Sequence, residues 1–435
     1  MQFIAKMSGF SSIINVVAEA ATKCIDKSYD GSGKITLTAG KSDMLATAFG
    51  GRVGIRTSIS DATVDNIDYE CETPGEVTVS ATGLLGALAR FSTDEHLRFL
   101  IQKSDKDTME LYISKQNDAE QYQTLPCLDT PVKLPTQATT YIKEATIDRT
   151  SFIYGFEKIS FALGFETDKH TYSYWVMRTN KSNMRLVSGN GGSFACIDLS
   201  SPNMINATPE ITSFVFHKDH SPVVIKILSM LKDEKAIIKE SDPTSKDASY
   251  QTTITSGPCE IIIMGADPNL SWPDENKLFG ANYNYKIITK MADWDETGRG
   301  VKGAFDEELR RERKIQVAKL YIDLDKNLIT VDTVDMMKTK CKISVIDHAK
   351  DDKVDSYWKD GKMPEFSCAS PYLRDISEHG SGDGNIQMEF IAPNKPVLVR
   401  YHAGDKVLSP ESIKKENSTT GISETFSILF ATMND

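Results

Sequence analysis

The chain has 435 residues, 40% of them hydrophobic, and a formal net charge of −11, so it is long enough for two to four domains with sizeable cores. No apolar run approaches the roughly 18 residues of a membrane span, and Met1 to Lys6 lacks the apolar core of a signal peptide, so a cytoplasmic protein without membrane partners is expected. The acidic total counts against nucleic acid at first sight, yet it governs solubility and long-range repulsion and leaves the sign of any single surface open.

In chain order, Gln2 to Lys6 predicts a strand and Ser8 to Cys24 a helix that buries Ile13, Ile14, Val16, Val17, Ala20 and Ala21. Lys34 to Ala39 alternates as a strand and leads into another. Glu76 to Thr82 predicts a strand running into a helix with Leu84, Leu85 and Leu88 on its apolar side, and Leu97 to Ile101 forms a hairpin with Met109 to Ile113. Leu128 to Gln137 reads as an extended connector.

The second round opens with a strand at Thr140 to Ile147, with Asp148 as N-cap of a helix reaching about Leu163. Met184 to Gly189 is again an alternating strand. Phe214 to Phe216 is a short strand, and after His217-Lys218-Asp219 a helix starts at Ser221-Pro222, with Val223, Val224, Ile227, Leu228 and Leu231 on its apolar face. A hairpin of Ala236 to Lys239 with Ser249 to Ile254 follows, and the Pro- and Asn-rich stretch Asp267 to Asp274 leads to Gly280.

The third round starts at Asn284 to Ile288. Its first helix is interrupted by Gly298, Gly300 and Gly303 before Phe305 to Arg313 turns helical. Asn327 to Asp332, then Glu365 to Ser367 with Tyr372, Leu373 and Ile376, then the hairpin Ile386 to Phe390 with Val397 to Tyr401 repeat the earlier order. Asp347 to Lys362 and Gly404 to Gly421 are polar insertions that predict loops.

Val79, Phe216 and Phe366 stand at the same place in the three rounds, 137 and 150 residues apart, close to a third of the chain. Three markers in one order, three times, predict a triplicated domain with boundaries at 1–137, 138–280 and 281–435. Each block reads strand, helix, strands, helix, strands, which predicts an α+β fold: an antiparallel sheet with two helices on one face.

The residues argue against an enzyme. Gly189-Asn190-Gly191-Gly192-Ser193 resembles a phosphate loop, but Phe194 to Leu199 continues as a strand, so no helix N-terminus follows and a tight hairpin turn is the better reading. Seven cysteines, Cys24, Cys71, Cys127, Cys196, Cys259, Cys341 and Cys368, are scattered without a CxxC pair and read as reduced, buried small residues. The seven histidines show no metal spacing; His217 and His220 flank a helix start and read as loop or capping residues. Asp293, Asp295 and Glu296 fit a helix start favoured by its dipole rather than a nuclease centre. No catalysis, cofactor or metal is expected.

With these repeats the chain resembles the bacterial DNA polymerase sliding clamp, the β subunit of the replicative polymerase, over essentially its whole length. Arg185 to Ala195 stands where that family has a strand running into a T-D-G-H-R-L-A turn, and Trp272 to Phe279 where it has F-P-D-Y and an apolar pair; Phe426 to Met433 matches its closing strand and tail. The resemblance implies a head-to-tail homodimer that closes as a ring around double-stranded DNA, with sheets outside and helices facing the hole. An acidic exterior would then set the total charge, while a few cations on the inner helices touch phosphate weakly enough to slide. Lys23, Arg90, Lys158, Lys226, Lys232, Arg299, Lys302 and Arg374 are the candidates, joined by Lys169 and Tyr172 in the loop where the family touches DNA.

The resemblance also implies a pocket for short linear motifs of the polymerase, the clamp loader and repair enzymes, carried here by Gly189, Gly191, Gly192, Ser193, Phe194, Leu278, Phe279, Ala431, Thr432 and Met433. The chain departs from the family at Gly192-Ser193, where a His-Arg pair is usual, at Gly280 in place of Pro, and at Ala431-Thr432-Met433 in place of M-P-M. Such divergence fits a clamp encoded by a large bacteriophage. A repeated α+β structural or scaffolding protein is the competing reading, and it predicts no basic inner helices.

Overall fold

A computed structural model of the chain describes residues 1–23, 29–104, 107–164, 170–180, 183–200, 211–244, 249–265, 270–279, 285–299, 317–333, 340–350, 366–379, 384–391, 395–402 and 423–430. From the N-terminus come β1 (Gln2–Lys6), α1 (Met7–Thr22), β2 (Lys34–Ala39), β3 (Met44–Phe49), β4 (Val53–Ile59), β5 (Glu70–Thr73), β6 (Gly75–Ser80), α2 (Ala81–Leu88), β7 (His96–Lys103), β8 (Met109–Lys115) and β9 (Asp118–Pro126). The order recurs as β10 (Tyr141–Asp148), α3 (Arg149–Ile159), β11 (Tyr174–Asn180), β12 (Asn183–Gly189), β13 (Ser193–Ser200), β14 (Thr212–His217), α4 (Ser221–Met230), β15 (Lys235–Ser241), β16 (Gln251–Ser256) and β17 (Cys259–Met264). After the short α5 (Glu275–Phe279) it recurs again as β18 (Tyr285–Lys290), α6 over 291–299, β19 (Val317–Asp323), β20 (Leu328–Thr333), β21 (Lys340–Lys350), β22 (Phe366–Ala369), α7 (Ser370–His379), β23 (Asn385–Phe390), β24 (Val397–His402) and β25 (Ser423–Phe430).

The α+β class and the three predicted hairpins, β7–β8, β15–β16 and β23–β24, are present. One marker is displaced. Lys34–Ala39 is the first strand after its block's first helix, whereas Met184 to Gly189 and Asn327 to Asp332 fall in second strands, β12 and β20. Alternation identifies a strand's two faces but not its rank in a sheet. β21 also continues through Asp347 to Lys350, where a loop is predicted from the polar sequence. The helix expected over Phe305 to Arg313, the rest of that insertion and the one at Gly404 to Gly421 lie outside the described residues.

The chain forms two compact units, one of Met1–Ile153, Thr179–Lys181 and Asn203–Asn269, the other of Tyr154–Arg178, Ser182–Pro202 and Leu270–Asp435. In the first, β5-β1-β7-β8-β9 make a five-stranded sheet, and β10-β15-β16-β17-β4-β3-β2-β6 an eight-stranded one. Phe10, Ile13, Ile14, Val17, Ala20 and Ala21 recur at helical spacing on α1 and are all buried. Phe3 and Phe99 are cross-strand partners stacked at 4.5 Å, and Phe10 reaches Phe99 at 4.7 Å, fastening α1 to the sheet. Aromatic pairs of this kind contribute about 1 kcal/mol each beyond the area they bury.

The eight-stranded sheet is continuous because β17, the last strand of the second round, pairs with β4, the third strand after the first helix of the first round, from Cys259↔Thr57 to Ile263↔Val53. The 128–137 connector crosses this joint. Its Val132 N–H donates to Thr36 Oγ1 (2.8 Å) on β2, Gln251 Nε2 on β16 donates to the Thr136 carbonyl (2.9 Å), and the Gln137 amide meets Glu260 of β17, which also holds Arg56 of β4. α4 packs on α1 at the same seam.

In the second unit, strands run side by side in the order β11-β12-β13-β25-β24-β23-β18-β21-β20-β19-β22. The same joint recurs: β25, last strand of the third round, pairs with β13, third of its set, from Ser193↔Phe430 to Ser200↔Ser423. Trp294 is fully buried, and its indole N–H donates to Thr289 Oγ1 at 2.8 Å. In the first unit, Asp148 caps the start of α3 as predicted, accepting the Ser151 N–H at 2.7 Å.

Two consequences concern stability. A Cβ on Gly9 of α1 would stand 2.7 Å from the Asn66 carbonyl oxygen and 2.8 Å from that of Asp65, in a loop where Asn66 and Asp68 hold φ at 55° and 44°. Gly9→Ala gains about 1 kcal/mol of helix propensity, but the backbone clash should reverse the sign and cost about 1–3 kcal/mol, read as a lower urea midpoint; an equal or higher midpoint would mean that the loop yields. The other is His220, buried ahead of α4 with Nδ1 unpartnered among the described residues. Burial, with His217 and Arg52 nearby, holds its pKa at about 4. The unfolded chain takes up this proton near pH 6.5, so unfolding free energy should fall as pH drops from 6.5 toward 4, by up to about 3 kcal/mol. His220→Gln should flatten that slope; an unchanged slope would assign the loss to other groups such as His379, also held at about 4, by burial and then Lys158.

Candidate functional site

Strand register builds an apolar floor in the second unit. β12 and β13 align Val187 with Cys196 and Gly189 with Phe194. β13 and β25 align Phe194 with Leu429 and Cys196 with Ser427, and β25 and β24 align Leu429 with Leu398 and Ser427 with Arg400. β23 adds Glu389 and Gln387 beside Leu398 and Arg400. Because side chains alternate between faces, two rows share one face: Gly189, Phe194, Leu429, Leu398, Glu389, and Val187, Cys196, Ser427, Arg400, Gln387. The opposite face carries Ser188, whose hydroxyl donates to the Ile159 carbonyl of α3 at 2.5 Å.

Val187, Cys196, Leu398 and Leu429 form a buried cluster closed by Phe279 of α5, with Phe194, Trp272 and Leu278 packed at its margin. The Lys277 and Leu278 N–H groups donate to the Asp274 carbonyl at 3.1 and 3.3 Å, turning the chain so that Leu278 and Phe279 face the sheet.

The glycine-rich segment is the hairpin turn between β12 and β13. Asn190 Oδ1 accepts from the Gly192 and Ser193 N–H groups at 3.0 and 2.8 Å, and Gly191 holds φ at 86°, which glycine adopts without steric cost. Tyr172 stands edge-on to Phe194, with centroids 5.9 Å apart. The Tyr372 hydroxyl occupies the space into which any side chain at 192 would project, and its ring lies 5.6 Å from Phe430. Glycine at 192 and an inward Tyr372 therefore require each other. Of the predicted pocket residues, Gly189, Gly191, Gly192, Ser193, Phe194, Leu278 and Phe279 are brought together, and Ala431, Thr432 and Met433 lie outside the described residues. Leu398, Arg400, Tyr372, Val187, Cys196 and Leu429 are additions: each sits in an element already read from the sequence, but nothing local marks any of them as part of this site.

The predicted cations divide by environment. Lys23 at the end of α1, Lys226 on α4 and Arg299 at the end of α6 are exposed. Arg90, just beyond α2, is exposed and lines a cleft with Phe91, Lys115 and Tyr122. Lys232 is 3.2 Å from Asp65. Lys158 Nζ donates to the His379 carbonyl at 2.8 Å and lies over the rings of Tyr154 and Phe426 at 5.5 and 5.8 Å. Arg374 is 3.2 Å from Asp375 and 3.7 Å from Glu378. α1 packs against α2 and α4, so Lys23, Arg90 and Lys226 belong to one helical layer of the first unit. Lys169 and Lys302 lie outside the described residues.

Among the described residues no three His, Cys, Asp or Glu side chains gather as a metal site would require, and no helix is long and apolar enough to cross a membrane.

No family model matches the sequence, and no curated protein sequence matches it. Solved structures do. The DNA polymerase sliding clamp from Bacillus subtilis superimposes with a TM-score of 0.74 at 14% identity, covering 100% of this chain and 99% of that one. The Caulobacter crescentus pol III beta protein gives 0.72 at 14% identity with 100% of both chains covered, and the DNA polymerase III beta subunit from Thermotoga maritima 0.71 at 12%, covering 100% and 99%. From end to end, the chain has the fold of the bacterial DNA polymerase sliding clamps.

Proposed function

We propose that the chain is a DNA sliding clamp, a processivity factor that encircles duplex DNA and tethers the replicative polymerase, the clamp loader and repair proteins through short linear motifs. It works by enclosure and weak phosphate contact, without catalysis, cofactor or metal, in the cytoplasm at the site of replication. The observation that carries this reading is the repeated joint, β17 on β4 and β25 on β13, within a fold matched from end to end by sliding clamps.

Two strands of the joint remain over. β9 is the last strand of the first block and the outer strand of its sheet, with Tyr122 53% exposed; β21 is the third of its set in the last block, and although its second half pairs with β18, its residues 340–344 pair with β20 and, among the described residues, with no other strand. A second copy joined by the same rule seats its β9 on the first copy's β21, giving a head-to-tail homodimer of chains with blocks 1–137, 138–280 and 281–435. The cleft of about 550 Å³ beside β9, lined by Arg90, Phe91, Lys115 and Tyr122, supports a partner surface there.

Exposed Lys23 and Lys226, with Arg299, whose Nε donates to the Asp295 carbonyl at 3.2 Å while the rest of its guanidinium carries the charge, supply the weak phosphate contacts. The partly buried margin of Phe194, Trp272 and Leu278, backed by the buried cluster of Val187, Cys196, Leu398 and Leu429, suits an extended peptide bearing Leu or Phe anchors.

Loading by a clamp loader onto primed circular DNA tests the function: the protein should stay on the closed circle and be lost when the circle is cut, and equal loss from both would reject enclosure. In solution the mass should approach twice 48.3 kDa. Tyr122→Glu should shift it toward the monomer without moving the unfolding midpoint by more than a few degrees; a dimer as tight as wild type would place the subunit contact away from β9.

A further inference from the structure

One charged side chain fastens α5 to the sheet. Arg400 stands on β24 in the second row of the floor, next to Leu398. Its guanidinium donates from Nε to Glu389 Oε1 at 2.8 Å, from Nη2 to the Phe279 carbonyl at 2.8 Å, and from Nη1 to Ser427 Oγ at 3.4 Å. Gln387 Nε2 donates to the same Glu389 oxygen at 2.7 Å. The Glu389 side chain is 5% exposed and that of Arg400 21%.

The Phe279 carbonyl closes α5, a helix of five residues. The last four carbonyls of any helix lack intrahelical partners, so a helix this short depends on what it meets outside. Arg400 supplies a partner at the end that carries Leu278 and Phe279, the two residues that close the floor. A buried ion pair contributes little net stability compared with apolar packing. The planar fork of arginine, however, fixes direction, because its donors cannot turn independently toward a carboxylate and a carbonyl.

We propose that Arg400 is the positioning residue of the peptide pocket: backed by Glu389, it holds the Phe279 carbonyl so that Leu278 and Phe279 stand in the geometry that receives a partner's apolar anchor. This rests on the floor and α5 being the site for linear motifs. Lysine at 400 keeps the charge beside Glu389, but its single ammonium cannot also serve as a rigid second arm to Phe279. Removing the charge outright leaves Glu389 buried and uncompensated, which is strongly destabilising, so an apolar residue at 400 is informative only together with a neutral one at 389.

The experiment uses the full-length protein, with binding of a fluorescent hexapeptide ending in Leu-Phe and amide exchange of residues 277–279 as readouts. Arg400→Lys should weaken peptide binding about tenfold and speed exchange in α5, while mass in solution and unfolding midpoint stay near wild type. The Glu389→Gln/Arg400→Met pair, which removes both charges, should weaken the peptide at least as much. A role in folding alone would lower the midpoint of the lysine variant and leave the affinity of its folded fraction unchanged, and that result overturns the proposal. Wild-type binding retained in both variants, or unchanged exchange at 277–279, overturns it as well. Failure of the wild-type protein itself to bind the peptide instead rejects the pocket reading, and the role proposed for Arg400 falls with it.

Discussion

A strand at the edge of a sheet presents a row of backbone N–H and C=O groups that must find partners, water or a cover. This chain meets that requirement twice in the same way, by seating the last strand of one round on the third strand of the round before: β17 on β4 and β25 on β13. Each joint is antiparallel and in register over five or more residue pairs, with fully buried side chains such as Ile55 and Ile261 at the first. The joint therefore has the character of a sheet interior. It also explains why the compact units cut across the sequence repeat, since strands 235–264 belong to the same sheet as strands 34–59.

The connector contributes to the same joint. A polar segment rich in proline reads as a spacer, yet here its backbone and side chains are tied to β2, β16 and β17. Proline lacks an N–H to lose, and an extended backbone lying across a sheet still offers carbonyls and the remaining amides to side chains beneath it. Thr36 and Thr78, buried and 2.8 Å apart, are the polar steps on which it rests.

Charge is divided by use. Arg374, Lys158 and Arg400 bind carboxylates, carbonyls or ring faces inside the second unit, whereas Lys23 and Lys226 point into solvent from helices whose opposite sides are buried. A net charge of −11 is compatible with both, because total charge sets the far field and local sign depends on which cations are left exposed.

The chain by itself determined its repeat, the helix at 221–230, the Asp148 cap, the hairpins and the tight turn at 189–193, because periodicity, capping and turn chemistry act over a few neighbouring residues. It placed Lys34–Ala39 at the same rank as Met184–Gly189 and Asn327–Asp332, which the structure corrects, and it gave no sign that Leu398, Arg400 and Tyr372 belong with Phe194 and Phe279. Those residues lie more than a hundred positions from the floor's first strand, and only register across four strands puts Val187, Cys196, Ser427 and Arg400 in one row. Which lysines stay exposed was likewise settled by tertiary contact: Lys158 and Lys226 look alike on paper, but one finds the His379 carbonyl and two aromatic rings while the other has a buried helix face behind it and solvent ahead.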